Sequence, residues 1–559
     1  MKRSVFIILG LSLFGNYGFA QQGKEKEDLG DKEYIIVKDY KPVLAESYKI
    51  SDVPEGDTST YTAPPLKYRL ETKKAETNYE TAAIKAVRVK DEALTKLYRN
   101  LVRLGIGNYT KYDGELYINS LRSKKGTLGF IGKHFSGSPS LKGVNYSAYS
   151  ENSAEISGKY FLENAVFFGD IDYNRDVVHY YGGDFKVDTI IDKKDLRQLF
   201  SNFGVNAGIR SNYLSRGNLD YEASFGFSTL SDHFDVTEND FLVKAKGGKE
   251  VENMYIQVDA SFNYFKKSQA SNESLSLLSD LNRNIIRISP SVFLGKDKVK
   301  FELGGRVVIA KDDGSSAYFY PNIKVSLPIS EHVLSVFAHV GGDLKKNSYR
   351  TVTLENPFVS SAIVPFNSSE AIMLTGGLNG NFNSAVSFAA WVKYGTVKDM
   401  ALFVTDLSND NKFALLYDDV NVLDLHAELS YKADEKFKVS LQYDQYSYSP
   451  GLQAKAWHKP QNEVTLKSAY NLRDKIVLNV SVFGRGKSYA RMAASDSSLG
   501  FVSEKIKGYV DANLGIEYHY SKILSVYLNM NNLGFSKYDR WYSYPSEGFN
   551  VLGGISYSF

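Results

Sequence analysis

Apolar and polar side chains alternate along most of this chain, and the last twelve residues show it best. In Gly548-Phe549-Asn550-Val551-Leu552-Gly553-Gly554-Ile555-Ser556-Tyr557-Ser558-Phe559, the residues Phe549, Val551, Gly553, Ile555, Tyr557 and Phe559 fall on one face. Asn550, Leu552, Gly554, Ser556 and Ser558 fall on the other. A strand has a side-chain period of two, so the run predicts a strand with one apolar and one mostly polar face. Similar runs recur from about Leu97 onward. Val510, Ala512, Leu514, Ile516, Tyr518 and Tyr520 alternate with Asp511, Asn513, Gly515, Glu517 and His519. After a tight Ser521-Lys522 turn, Leu524, Val526, Leu528 and Met530 continue the theme. Ile476 to Val482 and Val299 to Ile309 read the same way.

The connections sort into two kinds. Short turns are expected at Leu162-Glu163-Asn164, Arg216-Gly217, Gly295 to Lys298, Leu327-Pro328-Ile329, Asn383-Ser384 and Arg473-Asp474. Longer segments alternate with them, around 182–194, 268–282, 346–369, 486–506 and 534–547. Short turns at one end and long loops at the other mark a transmembrane barrel. Many runs exceed the roughly 9–11 residues that cross a bilayer at a tilt. The pattern predicts an all-β fold: a transmembrane antiparallel up-and-down β-barrel of about 22 strands, with 14–20 as alternatives. An even count puts both chain ends on the periplasmic side.

Composition narrows the function. A net charge of +3 over 559 residues gives no electrostatic case for nucleic acid. Tyr (40) and Phe (33) are abundant while Pro (13) is scarce, which favours strands and membrane interfaces. With no Cys there is no disulfide, thiolate metal site or lipid-anchoring cysteine. Residues 1–20 read as a cleaved secretory signal peptide: Lys2 and Arg3, the apolar stretch Val5 to Phe14, then Gly18-Phe19-Ala20. These features predict export to the cell outer membrane of a Gram-negative bacterium. Residues 21–96 form a short periplasmic or plug-like segment, with a linker over Ser51 to Pro65 and weak helical character over Asp91 to Tyr98. Residues 97–559 form the barrel.

Candidate chemistry is sparse. His134, His179, His233, His332, His339, His426, His458 and His519 show no metal-ligand spacing. No catalytic residues, cofactor or metal site are expected, and the chain does not read as an enzyme. Arg103, Glu302, Arg306, Arg485, Asp511 and Glu517 should face the lumen as mixed ion pairs, with His519 beside Glu517. Trp391, Trp457 and Trp541 lie near run ends and read as interfacial girdle residues. Trp541, Tyr542 and Tyr544 form an alternative sugar-stacking platform. The loop from Asn347 to Ser369 carries Phe358, Val359, Ile363, Val364 and Phe366. Such apolar residues suit a partner-binding loop or lid, or a loop folded back into the barrel mouth. Tyr557 and Phe559 read as a recognition signal for the barrel-insertion machinery.

The C-terminal segment resembles that of TonB-dependent receptors. The resemblance lies in Asn529-Met530-Asn531-Asn532-Leu533, then Tyr538, Trp541, Pro545, Gly548-Phe549-Asn550-Val551 and the closing Tyr557-Ser558-Phe559. It implies a 22-stranded barrel, an N-terminal plug and uptake driven by TonB through a short box. Tyr34, Ile35, Ile36 and Val37 are the box-like candidate, and a plain strand explains them equally well. Residues 21–96 are too few for a complete plug. Either they form a reduced plug, or a partner fills the lumen, or the barrel is a scaffold. Two functions follow: transport of a solute across the outer membrane, or a non-enzymatic subunit of a larger outer-membrane complex for protein secretion, surface export or barrel assembly. The expected partners are outer-membrane lipid, the insertion machinery, and TonB or another outer-membrane or periplasmic protein.

Overall fold

The computed structural model describes residues 98–559 apart from 122, 142, 184–191, 213–217, 270–280, 297–298, 313, 331–332, 435 and 494–499. Contacts divide the chain into Met1–Asp91 and Glu92–Phe559. The expected signal peptide, Tyr34, Ile35, Ile36 and Val37, the expected linker and the residues from Asp91 to Leu97 lie outside the described residues.

Twenty-two strands form one antiparallel sheet, each paired with its chain neighbour. It runs from Leu101–Gly107 to Asn550–Ser558, and these two strands pair with each other and close the barrel. The seam register matches Leu101 to Ser558 and Gly107 to Leu552. Asn100 N donates to Phe559 O at 3.1 Å, and Phe559 N returns the bond to Asn100 O at 3.0 Å. The alternating C-terminal run is therefore the strand that removes the sheet's last free edge.

The described turns and loops segregate as expected, while the Arg216-Gly217 turn, Lys298 and most of the loops at 182–194 and 268–282 lie outside the described residues. Arg473 and Asp474 carry φ of 53° and 55° in a tight hairpin whose Asn471 Oδ1 accepts Asp474 N. Leu327-Pro328-Ile329 is a correction. That strand continues over Ser315–Ser330, and the register shifts between Pro328 and Ser330. Proline lacks the N–H needed by a regular ladder, but an irregularity at a strand end accommodates it. The longest strands, Val386–Thr405 and Phe413–Ala433, have 20 and 21 residues.

The outer face is an apolar belt. Leu104, Ile156, Ile171, Val307, Leu374 and Ile555 are 43–54% exposed on it. Tyr557 and Phe559 lie on the same face at the turn end, with stacked rings 5.9 Å apart. A belt this extensive has no counterpart on an ordinary water-facing surface. The lumen face is polar: Arg306 pairs with Asp343 at 2.9 Å, Arg485 with Glu463 at 3.7 Å, and His519 with Glu517 at 3.5 Å. Glu302 accepts a hydrogen bond from Asn322.

The girdle assignment of the tryptophans is a second correction. Trp391 shares the inward face with Lys393, opposite the exposed Val392 and Tyr394, and stacks on His426 at 4.8 Å. Trp457 and Trp541 are buried in side-chain clusters among the loops. Position near a run end fixes height along the barrel, whereas alternation fixes the face.

On the lumen side, Tyr527 bridges the closing seam. Its ring covers Gly554 of the last strand and Gly105 of the first, where added Cβ atoms would lie 2.6 Å and 2.3 Å from its atoms. Its hydroxyl donates to Asp113 at 2.9 Å, and the Arg103 guanidinium lies 3.6 Å from the ring centroid. One side chain thus ties together four strands around the seam. Tyr527→Ala should lower the temperature at which heat-modifiable electrophoretic mobility is lost. Gly554→Leu should prevent closure outright, because its Cβ would also meet Leu104 O at 2.2 Å. Unchanged mobility transitions in both variants would refute this role.

Candidate functional site

The described loop of residues 346–367 folds inward and fills the barrel mouth. Its helix α1 (Tyr349–Glu355) starts at Ser348, whose side chain accepts Thr351 N while Ser348 N donates to Thr351 Oγ1. A carboxylate from the barrel wall adds to this cap. Glu238 accepts Tyr349 N at 2.6 Å and Arg350 N at 3.1 Å, satisfying backbone donors that a helix start leaves free.

One wall residue, Asp232, gathers the loop's polar groups. It accepts Tyr349 Oη at 2.6 Å, Ser361 Oγ at 2.5 Å, Gln198 Nε2 at 3.3 Å, and the backbone N–H groups of Phe234 and Val236. Gln198 also donates to Tyr180 Oη, which donates to Val359 O at 3.0 Å. Lys267 Nζ donates to Ser361 O at 2.8 Å and Ile363 O at 2.7 Å. Burial, and then the neighbouring Asp232 charge, push the Tyr349 phenol well above its ordinary range, so it remains a donor to that carboxylate.

The apolar half packs beside this network. Val359 is fully buried and Ile363 nearly so, in a cluster with Phe200, Leu230, Tyr349, Phe403, Phe413, Trp541 and Tyr544. Phe358 stacks on Tyr544 at 3.8 Å. Phe366 makes an edge contact with Tyr417, which accepts Phe366 N and donates to Val364 O. The five apolar loop residues singled out from sequence are thus placed within the molecule. Trp541 and Tyr544 present no open stacking platform, because both rings are covered by neighbours.

His458 closes the far side of the cluster. It is 2% exposed, its Nδ1 contacts Phe403 O at 2.9 Å, and its ring meets Phe413 edge-on at 5.2 Å and Trp541 at 5.5 Å. Burial pushes its pKa down to about 4, against the bond to Phe403, with Arg485 and Lys459 adding to the depression. At the opposite end of the lumen, a cavity of about 920 Å³ is lined by Arg103, Asp113, Lys432, Lys438, Lys467 and Asn529 among others. Among the described residues no group of three His, Asp or Glu side chains could hold a metal ion.

Sequence reasoning singled out the loop but missed Asp232, Gln198, Glu238, Lys267 and Tyr349. Asp232 and Tyr349 are 117 positions apart, and no local pattern announces such a pair. For the four wall residues Gln198, Asp232, Glu238 and Lys267 the available signal was parity, since they share the inward face of strands whose outward face is apolar. Tyr349, on the loop helix, had no such signal.

The described strands form a closed antiparallel 22-strand barrel with an apolar outer belt and a polar lumen. Three solved structures of this type are similar in fold. The FrpB iron transporter from Neisseria meningitidis aligns over 83% of this chain and 82% of its own, at TM-score 0.64 and 12% identity. The siderophore receptor PirA from Acinetobacter baumannii aligns over 84% and 81%, at 0.65 and 10%. The pyoverdine outer membrane receptor FpvA from Pseudomonas aeruginosa aligns over 84% and 79%, at 0.63 and 12%. No protein-family model and no curated protein sequence matches the chain.

The His458 environment sets a pH response. Its folded pKa of about 4 lies below the ordinary value of 6.5, so the unpacked side chain binds the proton more readily than the buried one. The packing around His458 is fully supported above pH 6.5 and loses stability as pH falls towards 4. Fluorescence from Trp541 and Trp457 should change across that window in wild type and much less in His458→Gln. Identical profiles would rule out this residue as the origin.

Proposed function

We propose that this protein is an outer-membrane barrel that moves a solute across the membrane, with the loop of residues 346–367 as the gate at its extracellular mouth. The observation that carries this reading is the inward loop held by Asp232 over a polar lumen. The fold likeness to iron and siderophore receptors supports it. By the same likeness, energy would come from TonB, with Tyr34, Ile35, Ile36 and Val37 as its candidate contact. Burial of Phe358, Val359 and Ile363 inside the mouth removes one motive for the scaffold alternative.

Transport requires the gate to move. The chain has no cysteine, so Asp232→Cys with Ser361→Cys offers a single cross-link pinning the loop to the wall. Cells carrying the oxidised pair should deplete at least one solute from defined medium several-fold more slowly than wild type, with recovery after reduction. Each single-cysteine variant controls for loss of the native bonds. If mass spectrometry found no solute whose depletion depended on the protein or on the cross-link, the transport reading would fall.

Tyr557 and Phe559, exposed at the turn end, are the proposed signal for the insertion machinery. Tyr557→Ala with Phe559→Ala should reduce the amount of surface-exposed, heat-modifiable protein several-fold. Normal amounts would dismiss the signal.

A further inference from the structure

The outer face over strands Gly126–Gly137 to Asp220–Asp232 can be read row by row from the register. One row is wholly apolar: Phe130, Ile156, Ile171, Val205 and Phe227 lie side by side across five strands. The next row towards the loop end holds Gly132, Ala154, Tyr173, Phe203 and Thr229. Then the chemistry changes in one step. His134, Asn152, Arg175, Ser201 and Ser231 form the following row, with no apolar member.

Cationic groups gather above that boundary. Arg197, paired with His179, lies four positions from Ser201 on the same strand, about 13 Å at ~3.3 Å per residue. Lys193 stands over the Tyr146 ring at 4.3 Å, and that ring makes an edge contact with His179 at 4.7 Å. Lys194 is exposed beside it. Among the described residues, neither the Arg175 nor the Arg197 side chain forms an ion pair. Among the described residues of this loop two exposed carboxylates, Asp192 and Asp195, are present, and Asp192 accepts the backbone N–H of Lys194. Asp184, Lys186 and Asp188 of the same loop lie outside the described residues. Counted over the described residues, Arg175, Arg197, Lys193 and Lys194 outnumber these two carboxylates, at the height where the apolar rows end.

We propose that Arg175, Arg197 and Lys193 form a binding surface for a phosphorylated glycolipid of the outer leaflet. Its acyl chains would lie along Ile171, Tyr173 and Phe203, and its phosphates between the two guanidinium groups. Arginine suits this task because its planar fork matches phosphate oxygens in pairs. The assignment to the outer leaflet rests on the membrane reading given above, since it needs the loop end to face outward.

The test uses the full-length protein in phosphatidylcholine nanodiscs doped with lipopolysaccharide, dephosphorylated lipopolysaccharide or phosphatidylglycerol. Lipopolysaccharide should raise the unfolding temperature of wild type, and Arg175→Ala with Arg197→Ala and Lys193→Ala should lose at least half of that rise. Arg175→Lys with Arg197→Lys should retain more of it. Lys311→Ala, on the outer face away from the patch, should retain all of it. Heat-modifiable mobility confirms that each variant is folded. An equal rise in the triple alanine variant would overturn the proposal, as would an equal rise from dephosphorylated lipopolysaccharide. A rise from phosphatidylglycerol as large as that from lipopolysaccharide would overturn the glycolipid assignment. Recovery of the wild type outside the membrane fraction would instead overturn the membrane reading itself, so the two failures are distinguishable.

Discussion

The structure depends on one constraint: no backbone edge can be left open where there is no water to satisfy it. In hydrocarbon an unpaired N–H or C=O costs several kcal/mol, so a sheet survives there only as a closed ring. The pairing of Leu101–Gly107 with Asn550–Ser558 meets that condition. The seam joins residues more than 440 positions apart. Its glycines let Tyr527 lie flat across the join, and Arg103 and Asp113 hold the ring in place. A contact between residues so far apart in sequence gains from a side chain reaching across several strands.

The mouth is organised by a different economy. A loop carrying Phe358, Val359 and Ile363 would expose apolar surface if it stood in water. Folded inward, it must satisfy its own backbone polar groups. Asp232, Glu238 and Lys267 supply the partners, and each meets groups from the loop. A buried hydrogen bond to a charged group contributes about 1.5–3 kcal/mol, and stranding its partner costs more. The loop is therefore held by a few strong contacts that must be released together. That suits a gate with two states better than a surface that deforms gradually.

Much of the barrel was legible in the sequence because alternation reports directly on a two-sided sheet. The last strand, the Ser521-Lys522 turn, the Arg473-Asp474 hairpin and the strand count could all be read from period and turn chemistry. Errors arose where a local cue was read without parity. Trp391 lies near the membrane-crossing part of its strand, but its odd numbering places it with Lys393 on the lumen face. Pro328 looked like a turn because proline usually ends a ladder, yet a register shift absorbs it. The gate was half visible: its apolar residues stood out, whereas its anchors did not. Asp232 is an ordinary carboxylate at a strand end until the loop arrives from 117 positions away.

Seam and gate occupy different parts of the same wall, and this separation has a functional consequence. Strands of 20 and 21 residues are about twice the length needed to cross a bilayer, so their loop-end halves stand beyond the hydrocarbon. Phe403, Phe413 and the residues around them, which receive the gate, belong to that projecting part. Tyr527 acts instead beside Arg103 and Glu517, nearer the turn end. Releasing the loop leaves the closing strand pairs untouched, because no hydrogen bond of the seam involves residues 346–367. In the proposed opening, water would satisfy the freed groups of Asp232 and Glu238, whereas hydrocarbon offers no such substitute for the seam. On the proposed reading the barrel keeps a permanent closure in the membrane and a reversible one above it.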